Sequence, residues 1–251
     1  MTEFEKAVMG IYEKRTVAPA VPKRFECEEC KDSGEVLVMI DGHDVSKRCK
    51  CYKIRQARRL MERSGISQEF QKKRFDNFDT KNISQLEMAK RKAIQYVSAF
   101  EQCEHDRKNS IMFSGQVGSG KTHLGTAISS SLMNKGIAVV YMAYRDAVTK
   151  IKQHVTNEEQ YSREINMYSK ARVLYIDDLL KGRLTETDVN IMYEIINYRY
   201  MNNLPVIIST EKFIEELLEF DEAVGSRMIE MCRGNIINLR GKELNYRLYS
   251  Q

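Results

Sequence analysis

The residues best suited to chemistry run from Gly115 to Thr122, Gly-Gln-Val-Gly-Ser-Gly-Lys-Thr. They fit the spacing G-x-x-x-x-G-K-[ST] in full. Gly115, Gly118 and Gly120 let the backbone curl, so that successive N–H groups converge on phosphate oxygens. A helix expected from Lys121 adds the positive end of its dipole. Lys121 has the reach and charge for β- and γ-phosphates, and Thr122 offers a hydroxyl to Mg²⁺. Gln116, Val117, Ser119 and His123 complete the candidate ATP-binding stretch. A plain glycine turn is the alternative. The flanks "IMFSG" and "THLGTAISSSLMNKG" weigh against it, because they supply the strand and helix that a phosphate loop requires.

Such a site needs carboxylates from a second strand. "VLYIDDLL", Val173 to Leu180, ends an apolar run in two acids. Asp177 is placed to hold Mg²⁺ through water, and Asp178 to polarise an attacking water as general base. The bland alternative is two acids at an ordinary strand end.

A second constellation is made of thiols. Cys27-Glu-Glu-Cys30 and Cys49-Lys-Cys51 form two close pairs, a pattern suited to tetrahedral Zn²⁺. The second pair is C-x-C, so the knuckle is irregular, and His43 is an alternative ligand. Four protein ligands make such a metal structural. An iron–sulfur cluster or plain buried cysteines are the competing readings. Cys103 and Cys232 stand alone and read as packing residues.

These groups need elements to hold them. Phe4, Val8, Ile11 and Tyr12 trace an amphipathic helix that Pro19 and Pro22 end. "VLVMI" (36–40) reads as a strand and "DGHD" (41–44) as a turn. Residues 52–63 read as a basic helix; from Lys47 to Arg63 there are eight Lys/Arg against one acid, Glu62. That stretch suits nucleic-acid phosphates, an acidic protein surface, or a solvated face. "SGIS" (64–67) breaks the helix. The domain boundary is expected there, with a zinc-binding domain over 1–63, a linker over 64–83 that docks through "KKRFDNFDT", and an ATPase domain over 84–251. In the last, helices alternate with strands at "SIMFSG", "IAVVYMA" (137–143), "VLYID" (173–177) and "PVIIST" (205–210), and "NIINLRGKELNYRL" adds a strand pair or a strand and tail. That alternation predicts an α/β fold, a parallel sheet flanked by helices.

Totals bound the rest. The 251 residues carry a net charge of +5 and are 42% hydrophobic, enough for a real core. The mild excess of base permits nucleic acid as a partner; ordinary surface lysines account for it as well. With neither a membrane span nor a secretion signal in the sequence, a cytoplasmic protein with reduced cysteines is expected.

The spacing from Lys121 to "YIDD", "IIST", "GSRMIEMCRG" and "LRGKELNYR", with "KRFDNFDT" ahead, resembles AAA+ P-loop ATPases of the bacterial replicative-helicase loader family, DnaC/DnaI-like, and their relatives, the IstB-like transposition ATPases. The likeness covers roughly residues 64–251, and the cysteine segment resembles the zinc-binding N-terminal part of some loaders. The resemblance implies further roles. Thr210, in "VIIST", becomes the polar sensor, although Glu211 stands where the family usually has Asn. Arg227, in "GSR", becomes an arginine finger for a neighbouring subunit's ATP. Met231 holds the place of a second arginine, with Arg233 as a substitute. Arg247, in "NYR", becomes the sensor that contacts phosphate in its own subunit. A plain surface arginine at 227 and a solvated charge at 247 are the alternatives. The implied function is a slow ATPase, stimulated by assembly or single-stranded DNA. It self-associates, grips that DNA and holds or releases a DnaB-type ring helicase, with the zinc domain as adaptor. A transposition helper is the nearest alternative. A small-molecule kinase and a nucleic-acid-binding module with a vestigial ATP site are further ones. The two acids and the Arg227 box weigh against the kinase, and intact Lys121, Thr122 and Asp177 against the vestigial site.

Overall fold

Apolar, β-branched runs separated by polar breaks become strands in the computed structural model, which describes residues 25–66 and 72–249. The helix expected near Phe4–Tyr12 and Ser67 of the "SGIS" break lie outside these residues. The chain divides into two compact units, through Tyr52 and from Lys53 onward.

In the first unit, β1 (Glu35–Ile40) and β2 (His43–Arg48) form an antiparallel hairpin in which Ile40 pairs with His43. The turn is only Asp41 and Gly42, with φ of 49° and 80°. Two residues at positive φ match the right-handed twist of a hairpin. His43 and Asp44, expected in the turn, therefore join the ladder.

Helix α1 (Cys51–Arg63) follows and the division falls within it, not after Arg63. The cause is burial: Ala57 and Met61 pack in the larger unit's core with Leu132 and Tyr141. That unit continues with α2 (Ser84–Cys103), β3 (Ile111–Gly115), α3 (Lys121–Asn134), β4 (Val139–Ala143), α4 (Tyr144–Gln153), α5 (Glu158–Ser169), β5 (Val173–Leu179), α6 (Glu186–Met201), β6 (Val206–Thr210), α7 (Ile214–Phe220), α8 (Glu222–Met231) and β7 (Ile236–Leu239). A 3-10 turn (Lys242–Leu244) and a short helix, α9 (Tyr246–Tyr249), close it. The last segment is thus a strand and tail.

The five strands lie in the order β4-β5-β6-β3-β7, all parallel. Successive side chains in a strand face opposite ways, and the core splits accordingly. Ile111, Phe113, Tyr141, Tyr175 and Ile207 pack on one side with α2 and α3. Met112, Met142, Leu174, Ile176 and Ile208 pack on the other with α4, α6 and α8. Parallel strands place all their carboxyl ends at one edge, where such sheets bind ligands. No helix among the described residues is long and apolar enough to cross a membrane.

One buried cation braces the second layer. Arg199, fully buried in α6, donates to the carbonyls of Tyr168, Ser169, Ala171 and Pro205 at 2.6–3.2 Å. Burial pushes its guanidinium down to about 9. It ties the end of α5 to the segments that enter β5 and β6, the strand of the acids and its neighbour.

Candidate functional site

The loop from β3 to α3 has Gly115, Gly118 and Gly120 at φ of 108°, 75° and 85°. At Gly120 a side chain is also excluded by contact, since a Cβ there would lie 2.6 Å from the Phe78 ring. Phe78 comes from the connector "KKRFDNFDT", which docks as expected from its spaced phenylalanines. His123 belongs to that docking: its Nε2 is 2.8 Å from Arg74 O and 3.0 Å from Asn77 Oδ1, and its ring meets Phe78 edge-on.

Lys121 is 5% exposed, and its ammonium donates to Gly115 O at 2.8 Å and Gln116 O at 2.6 Å. Burial lowers it to about 8, against the opposing pull of Glu211, Asp178 and Asp177. Ser119 Oγ donates to Gln116 O at 2.7 Å and so ties the loop to itself. Val117 is exposed at the crest. The rim is held from β7 and beyond: Gln116 N–H donates to Leu239 O at 2.8 Å, and Tyr246 N–H to Gly118 O at 3.0 Å. Tyr246 opens α9, which carries the exposed Arg247, so this candidate sensor sits one residue from a contact with the loop.

The strand order brings the acids to the same edge. Thr122 Oγ1 donates to Asp177 Oδ1 at 2.9 Å, so the hydroxyl and carboxylate chosen for Mg²⁺ already touch. Asp177, 6% exposed, also accepts from Tyr175, Tyr141 and Ser209. Burial, with Asp177 beside them, raises both phenols well above their ordinary value, so they remain protonated donors. Asp178 occupies a register shift between Ile176 and Leu179, at φ 53°. Bulges and unfavourable backbone of this kind collect at functional sites. Its carboxylate is paired with Lys181 Nζ at 2.7 Å, and Lys181 also lies 3.3 Å from Glu211. The candidate general base is therefore held in an ion pair here.

The family resemblance implies Thr210 as the polar sensor; the structure gives the contact with the acid to Ser209. Ser209 shares a sheet face with Ile207, Tyr175 and Asp177, whereas Thr210 faces the other layer. The Thr210 hydroxyl donates to Leu179 O at 2.8 Å and accepts from Lys212 N at 3.0 Å, a turn-fixing role. Sequence reasoning missed Lys181, Ser209 and the two tyrosines: register between strands brings Tyr141 and Ser209 to the acid, Tyr175 lies two residues before it on β5, and Lys181 follows Asp178 by three. Ser209 alone had a signal, its place in "VIIST".

Arg227 lies on α8. Its Nη1 donates to Ala223 O at 2.7 Å, and its guanidinium stands 5.4 and 5.5 Å from the ring centres of Tyr193 and Tyr200. This arginine is stacked within its own chain. Arg233 is exposed just past the helix.

A glycine cradle that a Cβ would fill, a buried lysine and a paired hydroxyl and acid fit a nucleotide with Mg²⁺. The thiols fit zinc. Sγ atoms of Cys27, Cys30, Cys49 and Cys51 all lie within 4.8 Å of one another, with Cys27–Cys49 at 3.7 Å and Cys30–Cys51 at 3.3 Å. Tetrahedral Zn–S bonds of about 2.3 Å place sulfurs roughly 3.8 Å apart. His43 is not in the cluster; it sits at the start of β2. Asp32 shapes the first turn by accepting from Cys27 N–H at 3.0 Å.

The family model described as IstB-like ATP binding protein matches residues 48–233. The phage-like element PBSX protein XkdC of Bacillus subtilis is 38% identical over 90% of this chain and 87% of its own. The replicative helicase loader DnaC of Escherichia coli is 28% identical over 70% of this chain and 69% of its own. The crystal structure of the DnaC helicase loader superposes with a TM-score of 0.61 and 23% identity, over 69% of this chain and all of that one, a likeness of fold. The chain belongs to the IstB-like ATP-binding proteins, a family homologous to the DnaC and DnaI helicase loaders, and carries a four-cysteine cluster ahead of its ATP-binding domain.

Proposed function

We propose that the protein is an ATP-dependent loader that places a DnaB-type ring helicase on single-stranded DNA. The alignment with the E. coli replicative helicase loader, over 70% of this chain, carries the reading. ATP with Mg²⁺ supplies the anhydride whose cleavage resets the assembly. Lys121 neutralises phosphate charge and Thr122 and Asp177 hold the metal. Asp178 orients the water once Lys181 releases it. Arg227 leaves Tyr193 and Tyr200 to reach the nucleotide of a neighbouring copy, so an isolated chain turns over slowly. Arg247 senses phosphate from the rim, and Ser209 steadies Asp177. The four cysteines hold Zn²⁺ in an adaptor that meets the helicase. The protein works in the cytoplasm.

The match to the IstB-like family, and 27% identity over 57% of the chain to an insertion-sequence putative ATP-binding protein of Geobacillus stearothermophilus, favour a second reading as a transposition helper. One experiment separates the two. The full chain and its Cys30→Ser variant are mixed with DnaB-type helicases and ATP, then sized with native mass measurement. Loading predicts a complex that the variant fails to form. ATP-dependent filaments on DNA, with no helicase complex, would instead select the transposition helper.

A further inference from the structure

Asp177 is surrounded by more hydroxyls than magnesium binding requires. Parallel pairing of β4 and β5 sets Tyr141 beside Tyr175 and Ala143 beside Asp177. Both phenols therefore reach the same carboxylate from one face of the sheet, one to each oxygen. Tyr175 OH is 2.9 Å from Oδ1 and Tyr141 OH is 3.0 Å from Oδ2. Thr122 and Ser209 add their hydroxyls to Oδ1. A donor on each oxygen fixes the rotation of the carboxylate as well as its position. The rings also brace each other edge to face, with centres 5.4 Å apart.

Phenylalanine would fill the same volume at both positions. A buried hydroxyl without a partner costs about 1–3 kcal/mol; Tyr141 finds its acceptor in Asp177, and Tyr175 in Asp177 and the Thr122 carbonyl. The phosphate-loop helix makes room for it. A Cβ on Gly125 of α3 would lie 2.5 Å from Tyr175 Cζ, and Tyr175 OH is 3.2 Å from Thr122 O. Tyr175 therefore touches the acid and the backbone of the hydroxyl residue that would share its metal.

We propose that Tyr141 and Tyr175 are positioning residues, whose hydroxyls hold Asp177 ready for the metal–nucleotide and set how much Mg²⁺ strengthens nucleotide binding. This rests on the reading of Asp177 as the acid that serves Mg²⁺. Partners that orient a metal-binding group commonly change metal affinity by about 10–100-fold when removed.

The test measures the affinity of the full chain for a fluorescent ADP, with Mg²⁺ and with EDTA, for wild type, Tyr175→Phe, Tyr141→Phe and the double variant. Wild type gains affinity from Mg²⁺. Tyr175→Phe loses about 10-fold of that gain, Tyr141→Phe less, and the double variant most, while all four bind alike in EDTA. Equal gains in all four overturn the proposal. So does an equal loss with and without metal, which marks the tyrosines as packing residues. No gain in wild type removes the metal role of Asp177 and this inference with it, a result that needs no variant. A second measurement avoids substitution altogether. In the native chain with ¹³C-labelled tyrosine rings, Mg²⁺–ADP should move two buried ring resonances that ADP in EDTA leaves in place. Identical spectra would also overturn the proposal.

Discussion

The two compact units solve opposite problems. The larger one has a sheet covered on both faces, with Phe113, Tyr175 and Ile207 on one side and Met112, Leu174 and Ile208 on the other. The smaller one has a two-stranded hairpin on which Leu37 and Met39 are 73% and 75% exposed. A hairpin alone is marginal in water. Among its described residues the four clustered sulfurs are the group suited to order it by holding a metal, whereas the phosphate loop inherits its order from a core. The difference teaches where each unit is fragile: the first at its ligands, the second at the braces behind its site.

The largest effect should come from breaking the thiol cluster. Structural zinc contributes about 10 kcal/mol or more to small domains, so chelation or Cys30→Ser should unfold the first unit outright. Hydrogen exchange should then show residues 25–48 exchanging freely while β3, β5 and β6 stay protected. Loss of protection in both units together would remove the contrast. Next comes the brace in the larger unit. Arg199→Ala takes a donor from four carbonyls, of which Pro205 O keeps Leu174 N–H, and leaves a void, at a cost of about 3–5 kcal/mol. A denaturant titration of the full chain should show the large transition move by that amount, with metal content unchanged. A shift under 1 kcal/mol would make Arg199 dispensable.

A smaller effect separates neighbours at the strand end. Ser209→Ala removes a donor from Asp177 and should weaken Mg²⁺-dependent nucleotide binding by about 10-fold. Thr210→Ala frees only Leu179 O and Lys212 N, so it should cost about 1 kcal/mol of stability and leave that affinity alone. The opposite ranking would restore Thr210 as the sensor.

The contrast between these two hydroxyls also marks the limit of what the sequence discloses. The glycine spacing with Lys121 and Thr122, and an apolar run ending in Asp177, are legible because both are local: a turn geometry and a strand end. The cysteine pairs are legible for the same reason, each pair lying on one turn. Five strands are legible from their apolar runs, though α1 gives its inner face to the larger core despite its basic composition. Tyr141 and Ser209 are illegible as partners of Asp177 because they depend on the register of β4, β5 and β6. A motif scan sees Ser209 and Thr210 as equivalent; the alternation of the strand does not. The stacking of Arg227 on Tyr193 and Tyr200 is likewise a tertiary fact, set by how α8 packs on α6.

The finest prediction concerns one proton. Lys121 is nearly dry, and burial lowers its ammonium from an ordinary value near 10.5 to about 8. The sign follows from linkage. Between pH 8 and about 10.5 the unfolded chain keeps a proton that the folded, nucleotide-free chain has lost, so this group's contribution to stability rises with pH across that window. Nucleotide reverses the balance, because phosphate beside Lys121 favours the charged form. Nucleotide affinity should therefore fall as pH rises through 8, and binding above pH 8 should take up a proton. At pH 8 the uptake should be about half a proton, and at pH 7 close to none. Calorimetry of ADP binding in buffers of different ionisation heat reads this number directly. Zero uptake at pH 9 would mean that the carbonyls of Gly115 and Gln116 keep Lys121 charged without nucleotide, and that the cradle is complete before its ligand arrives.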